Sequence, residues 1–378
     1  MSEAQTFVRR GIVEGFFGPL WTTAQRTSLF EFGAARGMNT YLYAPKDDPY
    51  HREHWTKPYP PTQWRALQQL IRHAQKRQID FVYGFHPGKG LCFSAEPPVR
   101  TLLDKAQRFY DTGVRTFAVQ FDDIPSRLEH ETDRKTFKNS LARAQGTWLE
   151  KILLRQPVSW KDVEWWICPS YYTPDLLLAK IFGAFEPHFL ETLAESLPPN
   201  VACFWTGPSV VSEKITLSHV RQVARHVQRR LIIWDNYPVN DLSMTDELHL
   251  GPLRGRDPRL PQAVYGYLNN PLLQAGLGII PLATCFDYAA NPAGYRPEPS
   301  WTRIIRQRFG SGAISLWRTI RTFCEKQQQA KKFKRPLLVS PKERPRLRSA
   351  VLYLREHQKE SWAREIKPWR ERIELALK

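Results

Sequence analysis

The ten residues TFAVQFDDIP, Thr116 to Pro125, run from a β-branched, aromatic and aliphatic segment straight into two adjacent carboxylates. Such a run reads as a buried strand that stops where the acids begin. The same handover, apolar strand to polar loop, recurs on either side of it. EGFFG (14–18), APKDD (44–48) and FHPGKG (85–90) precede it, and CPSYY (168–172), FWTGP (204–208) and WDNYPVND (234–241) follow. Candidate strands end at Val13-Glu14, Tyr43-Ala44, Phe85-His86, Phe121-Asp122, Ile167-Cys168, Phe204-Trp205 and Trp234-Asp235, and an eighth is expected to end at Thr284-Cys285. Between them lie amphipathic segments, such as residues 22–37, 60–78 and 97–113, with apolar residues at three- and four-residue spacing. Eight strands alternating with helices over residues 1–300 predict an α/β fold, a (β/α)8 TIM-type barrel. A doubly wound open sheet is the competitor, but no GxGxxG follows the first strand. In a barrel the seven polar segments all face the C-terminal rim, where active sites are built, and this points to an enzyme or a small-ligand binder.

Adjacent carboxylates repel, and each can raise the other's pKa. Carboxyls with split pKa values are the usual equipment for cleaving glycosidic bonds. Neighbours on a regular strand point to opposite faces, so Asp122 and Asp123 reach one ligand only if the backbone twists at the strand end. The plain alternative is that one of them caps a following helix. Lys46 also follows a strand, where a solvated lysine beside Asp47 and Asp48 is the alternative. Trp234, Asn236, Asn240 and Asp241 offer an aromatic wall and several hydrogen-bonding groups. That mixture suits a sugar, although a turn rich in Asn, Asp and Pro needs the same residues. His51, His86 and His130 show no metal-ligand spacing, so no metal is expected. GxxxxGK[ST], GxSxG and a Cys–His pairing are also missing, which disfavours nucleotide hydrolysis and acyl transfer; no cofactor is expected.

The chain of 378 residues carries 55 Lys+Arg against 37 Asp+Glu, a net of +18. A balance this basic invites a nucleic-acid or anionic-membrane reading. The excess is uneven: residues 1–300 hold 34 basic and 30 acidic residues, and residues 301–378 hold 21 and 7. The expected organisation is a catalytic barrel over 1–300 and a basic helical region over 301–378. Helices are expected at 301–327 and 349–377, with a Pro/Lys/Arg-rich connector near 328–348. No run of eighteen apolar residues exists, so no membrane span is expected, and the N-terminus lacks the apolar core of a secretory signal. Five scattered cysteines without a CxxC pair argue against a disulfide framework and for a reducing cytoplasm.

Taken in order, GIVEGFFG (11–18), MNTYLYAPKDDPYHREHW (38–55), FAVQFDDI (117–124), WTGPSVVS (205–212), IIWDNYPVNDL (232–242) and LHLGPLRGR (248–256) resemble glycoside hydrolase family 84, the O-GlcNAcases and related β-N-acetylglucosaminidases. The resemblance covers about residues 8 to 300. It implies a (β/α)8 catalytic barrel and a retaining mechanism in which the sugar's own 2-acetamido oxygen attacks the anomeric carbon to give an oxazoline. By position, Asp122 matches the residue that orients and stabilises the acetamido group, and Asp123 matches the general acid and base. The resemblance assigns sugar recognition to the Gly15 backbone, Lys46, Asn236, Asp241 and Asn270, with Asp241 accepting from the 4- and 6-hydroxyls. It places Cys168, Tyr172 and Trp234 around the acetamido methyl, and Val210 near the exit of the sugar pocket. Two departures stand out. Phe17-Gly18-Pro19 replaces the family's Tyr-Gly-Arg, which removes a phenol and a guanidinium from the leaving-group side, and Thr173-Pro174-Asp175 alters the loop after Tyr172.

The leading expectation is therefore a β-N-acetylglucosaminidase acting on a β-GlcNAc-bearing glycoside or glycoprotein. The alternatives are a non-catalytic GlcNAc-binding barrel and a hexosaminidase for cell-wall or small glycosides. The C-terminal helices are a candidate homodimer interface. The basic tail is a candidate site for an anionic partner, with a solvated basic face as its plain alternative.

Overall fold

Thr116–Gln120 is buried at all five positions, as a strand covered on both faces must be, and it forms the middle of a closed barrel of eight parallel strands. The computed structural model describes residues 6–378. In chain order the barrel runs β1 (Arg9–Glu14), α1 (Thr23–Ala34), β2 (Thr40–Tyr43), α2 (Pro61–Lys76), β3 (Asp80–Phe85), α3 (Pro97–Tyr110) and β4 (Thr116–Gln120). It continues with α4 (Glu131–Thr136), α5 (Leu141–Arg155), β5 (Glu164–Cys168), α6 (Leu176–Phe182), α7 (Phe189–Ser196), β6 (Ala202–Trp205), α8 (Leu217–Val227), β7 (Arg230–Asp235), β8 (Gly266–Asn269) and α9 (Ala275–Ala290). Pairing of β1 with β8, Gly11 opposite Leu268, closes the sheet.

Local chemistry sets the helix starts. Thr22 caps α1 through a reciprocal capping box with Gln25, and prolines at the starts of α2 and α3 stand where no intrahelical N–H is needed.

The eighth strand is not where the sequence placed it. Thr284 and Cys285 lie inside helix α9, and the strand is the four-residue GYLN before it. The misreading has a physical cause. Helix α9 is wedged between the barrel and the C-terminal helices and is buried nearly all round. It therefore lacks the polar stripe that marks a surface helix, and an all-apolar run reads equally well as a buried strand.

Four helices follow: α10 (Pro297–Phe309), α11 (Ile314–Lys332), α12 (Arg344–Glu356) and α13 (Ser361–Ala376). The two long helices expected here are each split. Gly310, at φ 84, breaks the first, and residues 357–360 break the second. The connector is shorter than expected, residues 333–343, because Pro345 sits in the first turn of α12, where proline is tolerated. Trp301, Ile304, Trp317, Ile320, Leu354, Trp362 and Ile366 form one apolar cluster with Leu277, Ile280 and Ala283 of α9, so these helices pack on the barrel wall. No helix among the described residues is long and apolar enough to cross a membrane.

Candidate active site

A cavity of about 690 Å³ opens at the C-terminal ends of the strands. Asp122 and Asp123 line it, as do Gly15, Lys46, Cys168, Tyr172, Val210, Trp234, Asn236, Asp241 and Asn270. Residues that follow seven different strands, every one but β3, are thus brought to one place, whereas Asn240 lies outside the lining.

The two aspartates share the cavity because of a backbone turn. Strand β4 stops at Gln120, and Asp123 adopts φ 58. This is the left-handed region, which Asp and Asn enter more readily than most side chains. The turn undoes strand alternation and brings the second carboxyl to the side of the first. Neither aspartate caps a helix: the next one, α4, begins at Glu131 behind His130.

Their environments differ. The Lys46 ammonium, itself buried, is hydrogen-bonded to Asp122 Oδ2. His86 Nε2 is 2.8 Å from the Asp122 backbone oxygen and 3.9 Å from Oδ1. Burial alone would push the Asp122 carboxyl up, but the Lys46 charge outweighs it and holds Asp122 below the usual carboxylate range. Asp122 Oδ1 has no hydrogen-bond partner among the described residues. An ionised, buried acceptor in that state calls for a donor from a ligand. Asp123 is displaced the other way: burial and the neighbouring Asp122 charge raise its carboxyl, against the opposing donation from Tyr172 Oη to Oδ1 at 3.0 Å. The two neighbouring carboxyls are therefore pushed in opposite directions, Asp122 down and Asp123 up.

The imidazole of His86 is kept neutral, its pKa lowered to about 3 by burial and by the charge of Lys46. Burial raises the Cys168 thiol well above its ordinary range, so it is a wall atom and not a nucleophile.

The floor is a hydrogen-bonded chain. Gly15 N–H donates to Asn270 Oδ1 at 3.3 Å, and Asn270 Nδ2 donates to Asn236 Oδ1 at 3.0 Å. Trp234 Nε1 donates to that same Asn236 oxygen at 3.0 Å, and Asn236 Nδ2 donates to the Val210 carbonyl at 2.8 Å. Asn236 thereby fixes the indole plane, Val210 and Asn270 in one unit, with one N–H left for a ligand. Gly15 permits the indole to close in: a Cβ there would lie 2.3 Å from Trp234 Cζ2. Asp241 accepts from Phe17 N at 2.8 Å through Oδ2, and burial raises its carboxyl.

Not every rim acid faces the cavity. Glu14 binds Arg26 of α1 through two contacts of 2.8 and 2.6 Å, and Asp235 binds Arg256 at 2.7 and 2.6 Å. Asp48 accepts from Tyr43 and Tyr59 hydroxyls at 2.6 and 2.7 Å. Glu14 ties β1 to α1, Asp235 ties β7 to the loop before β8, and Asp48 ties its own loop to β2 and to the segment before α2; for Glu14 and Asp235 the side chain next to an inward one points outward. Asp175 was missed as a site residue: its Oδ2 accepts from Val210 N at 3.1 Å while Oδ1 caps α6 by accepting from Leu177 N at 3.0 Å. The signal was the Asp preceding LLLAKIF, an N-cap pattern. His86, noticed in the sequence only for its lack of metal spacing, supports the turn that carries Asp122.

The basic C-terminal region reaches the site's rim. Lys331 is bound to Asp246 and lies 3.3 Å from Glu247, and Lys332 is 2.7 Å from Glu213. Trp369 Nε1 donates to the Asp246 carbonyl at 3.2 Å, and Arg372 donates to the same oxygen. The loop carrying Asp241 and the loop carrying Val210 are both tethered to helices outside the barrel.

A family model described as beta-N-acetylglucosaminidase matches residues 10–324. The sequence is 33% identical over 291 residues to the Protein O-GlcNAcase of Rattus norvegicus and likewise to that of Mus musculus, matching 76% of this chain and 31% of each relative. The chain thus spans less than a third of the length of these curated relatives. Among solved structures it superposes on an O-GlcNAc hydrolase mutant of Thermobaculum terrenum with a TM-score of 0.84 and 32% identity, covering 98% of this chain and 82% of that one.

Proposed function

The chain belongs to glycoside hydrolase family 84, the β-N-acetylglucosaminidases, and on that premise we propose that it removes terminal β-linked N-acetylglucosamine by substrate-assisted catalysis. The observation that carries the proposal is the pair Asp122 and Asp123: adjacent in the chain, turned into one cavity, and with pKa values displaced in opposite directions. Acid–base roles follow when two carboxyls are pushed apart in this way.

In the first step the acetamido carbonyl oxygen attacks the anomeric carbon as the bond to the leaving oxygen breaks. Asp123 gives its proton to that oxygen. The unpartnered Oδ1 of Asp122 accepts from the acetamido N–H, and its charge balances the positive charge that spreads over the forming oxazoline. In the second step Asp123, now a carboxylate, takes a proton from water. The hydroxide so formed bonds to the anomeric carbon, and the oxazoline C–O bond opens back to the amide. Two inversions give net retention. Because the nucleophile is part of the substrate, the carboxylate spacing required for a protein nucleophile does not apply. Cys168, Tyr172 and Trp234 wall the acetamido methyl, Asp241 accepts from sugar hydroxyls, and Lys46 keeps Asp122 ionised.

The test is turnover of 4-nitrophenyl β-GlcNAc by the wild type and by Asp123→Ala. Phenolate leaving groups need little protonation, so the variant retains far more activity on 4-nitrophenyl than on alkyl glycosides. Equal loss on both removes Asp123 from the acid role, and tight binding without turnover by the wild type makes the protein a GlcNAc-binding barrel.

The natural aglycone, partners and location belong to the same proposal. Five cysteines without a disulfide, four of them buried, suit a reducing cytoplasm. Lys334, Arg335, Lys342, Arg346 and Arg348 are exposed with no ion pair among the described residues, a surface for an anionic partner. Salt-dependent binding of heparin or DNA by the full chain, lost when these five are replaced by Gln, tests that reading. Exposed Leu352 and Leu375 on the C-terminal helices are the candidate homodimer face, tested by sedimentation.

A further inference from the structure

The geometry points to a leaving-group platform, made by α6 and Val211, that selects peptides carrying aliphatic or aromatic side chains beside the sugar-bearing residue. The inference rests on the hydrolase reading above, since Asp123 marks the leaving-group side only if it protonates the glycosidic oxygen.

Helix α6 is stitched to Asp123 at both ends. At its start, Asp175, three residues after the Tyr172 that donates to Asp123, caps the helix and accepts from Val210 N. At its end, the Phe182 carbonyl accepts from Ser126 N at 2.9 Å, three residues beyond Asp123. The helix sequence LLLAKIF is apolar on two faces. Leu178 is buried in the cluster that holds Cys168 and Tyr172, and Phe182 packs against it. Leu177 and Ile181, four residues apart and so on one face, point the other way, 46% and 60% exposed, and both line the cavity. Val211, on the loop held by Asp175, lines it too and is 44% exposed.

Exposed aliphatic side chains scattered singly need no explanation, but these three, joined across the mouth of the same cavity by Leu242, do. Their chemistry decides the occupant. A second sugar as leaving group needs hydrogen-bonding partners and aromatic faces, and Leu177, Ile181 and Val211 supply neither. A second copy of the chain needs roughly 800 Å² per partner for a stable interface, far more than four partly exposed side chains present. A peptide with apolar residues next to its modified serine or threonine matches both the size and the chemistry.

The experiment compares kcat/KM for two GlcNAc-serine peptides, identical except for Val and Leu or Ser and Gly flanking the sugar, and for chitobiose. The wild type, Leu177→Ser/Ile181→Ser and, as an independent variant, Val211→Ser are each measured. The wild type favours the apolar peptide on the order of tenfold, the selectivity one well-placed apolar contact gives, with chitobiose slower than either peptide. In the variants the apolar-to-polar ratio falls toward one. Equal rates on the two peptides, or faster cleavage of chitobiose, overturn the platform while leaving the hydrolase intact. Absence of turnover on every GlcNAc substrate overturns the hydrolase reading itself. Dimerisation abolished by the same substitutions, with the ratio unchanged, assigns the face to a second copy and overturns the platform.

Discussion

Tyr172 donates its hydroxyl to Asp123 Oδ1 at 3.0 Å, the only side-chain hydrogen bond that the described residues give to this carboxyl. A donor at that oxygen favours the carboxylate, so it works against the burial and the Asp122 charge that raise the Asp123 carboxyl. Tyr172→Phe removes the opposing donor, and the Asp123 carboxyl rises further. Because the acid must be protonated in the first step, the basic limb of the kcat profile moves to higher pH, by about one pH unit for a hydrogen bond to a charged group. A pH–rate series on one substrate checks this.

Lys46→Met acts on the other carboxyl. It strips the buried Asp122 charge of its partner, which costs stability about 3–5 kcal/mol and lets burial push the carboxyl up. Asp122 works ionised, so the acidic limb moves up toward neutral pH, the opposite limb from that shifted by Tyr172→Phe. The rate at neutral pH falls about 10²-fold or more, as when one group stabilising a developing charge is lost. Thermal unfolding and the pH profile of kcat/KM together separate the two effects.

Gly15→Ala introduces a Cβ 2.3 Å from the Trp234 indole. Overpacking of this kind costs about 1–3 kcal/mol. Because the indole is held by Asn236, which also holds Val210 and Asn270, the KM for a β-GlcNAc glycoside rises. Gly312→Ala, with nothing near its Cβ and no positive φ, leaves KM unchanged and serves as the control.

The barrel was legible because parallel strands buried on both faces announce themselves as short apolar runs, and seven of eight were placed within a residue or so. The eighth was not, since α9 is buried all round and carries no periodic polar face. The site residues were visible as polar groups at strand ends and through motif resemblance. Residues that act through others, Asp175 and His86, were passed over because a capping carboxylate and a lone neutral histidine look ordinary in sequence. Glu14 and Asp235 stand in the same strand-end segments but turn outward, to Arg26 of α1 and to Arg256. Alternation by one residue separates the two sets, and only coordinates resolve it.

The tethers from the C-terminal helices give the basic tail a role inside the molecule. Lys331→Met/Lys332→Met releases the loops that carry Asp241 and Val210. Both pairs are partly exposed, so each contributes at most about 1 kcal/mol. The KM rises less than tenfold, kcat changes little, and high salt produces the same change in the wild type.

The central claim is that the substrate's own acetamido oxygen is the nucleophile, with Asp122 and Asp123 in separate roles around it. The measurement that tests it most directly is the rate on 4-nitrophenyl β-GlcNAc glycosides bearing zero, one, two or three fluorines on the acetamido methyl. Fluorine drains electron density from the carbonyl oxygen, so kcat falls steeply with each addition if that oxygen attacks. A rate that stays level across the series contradicts the mechanism.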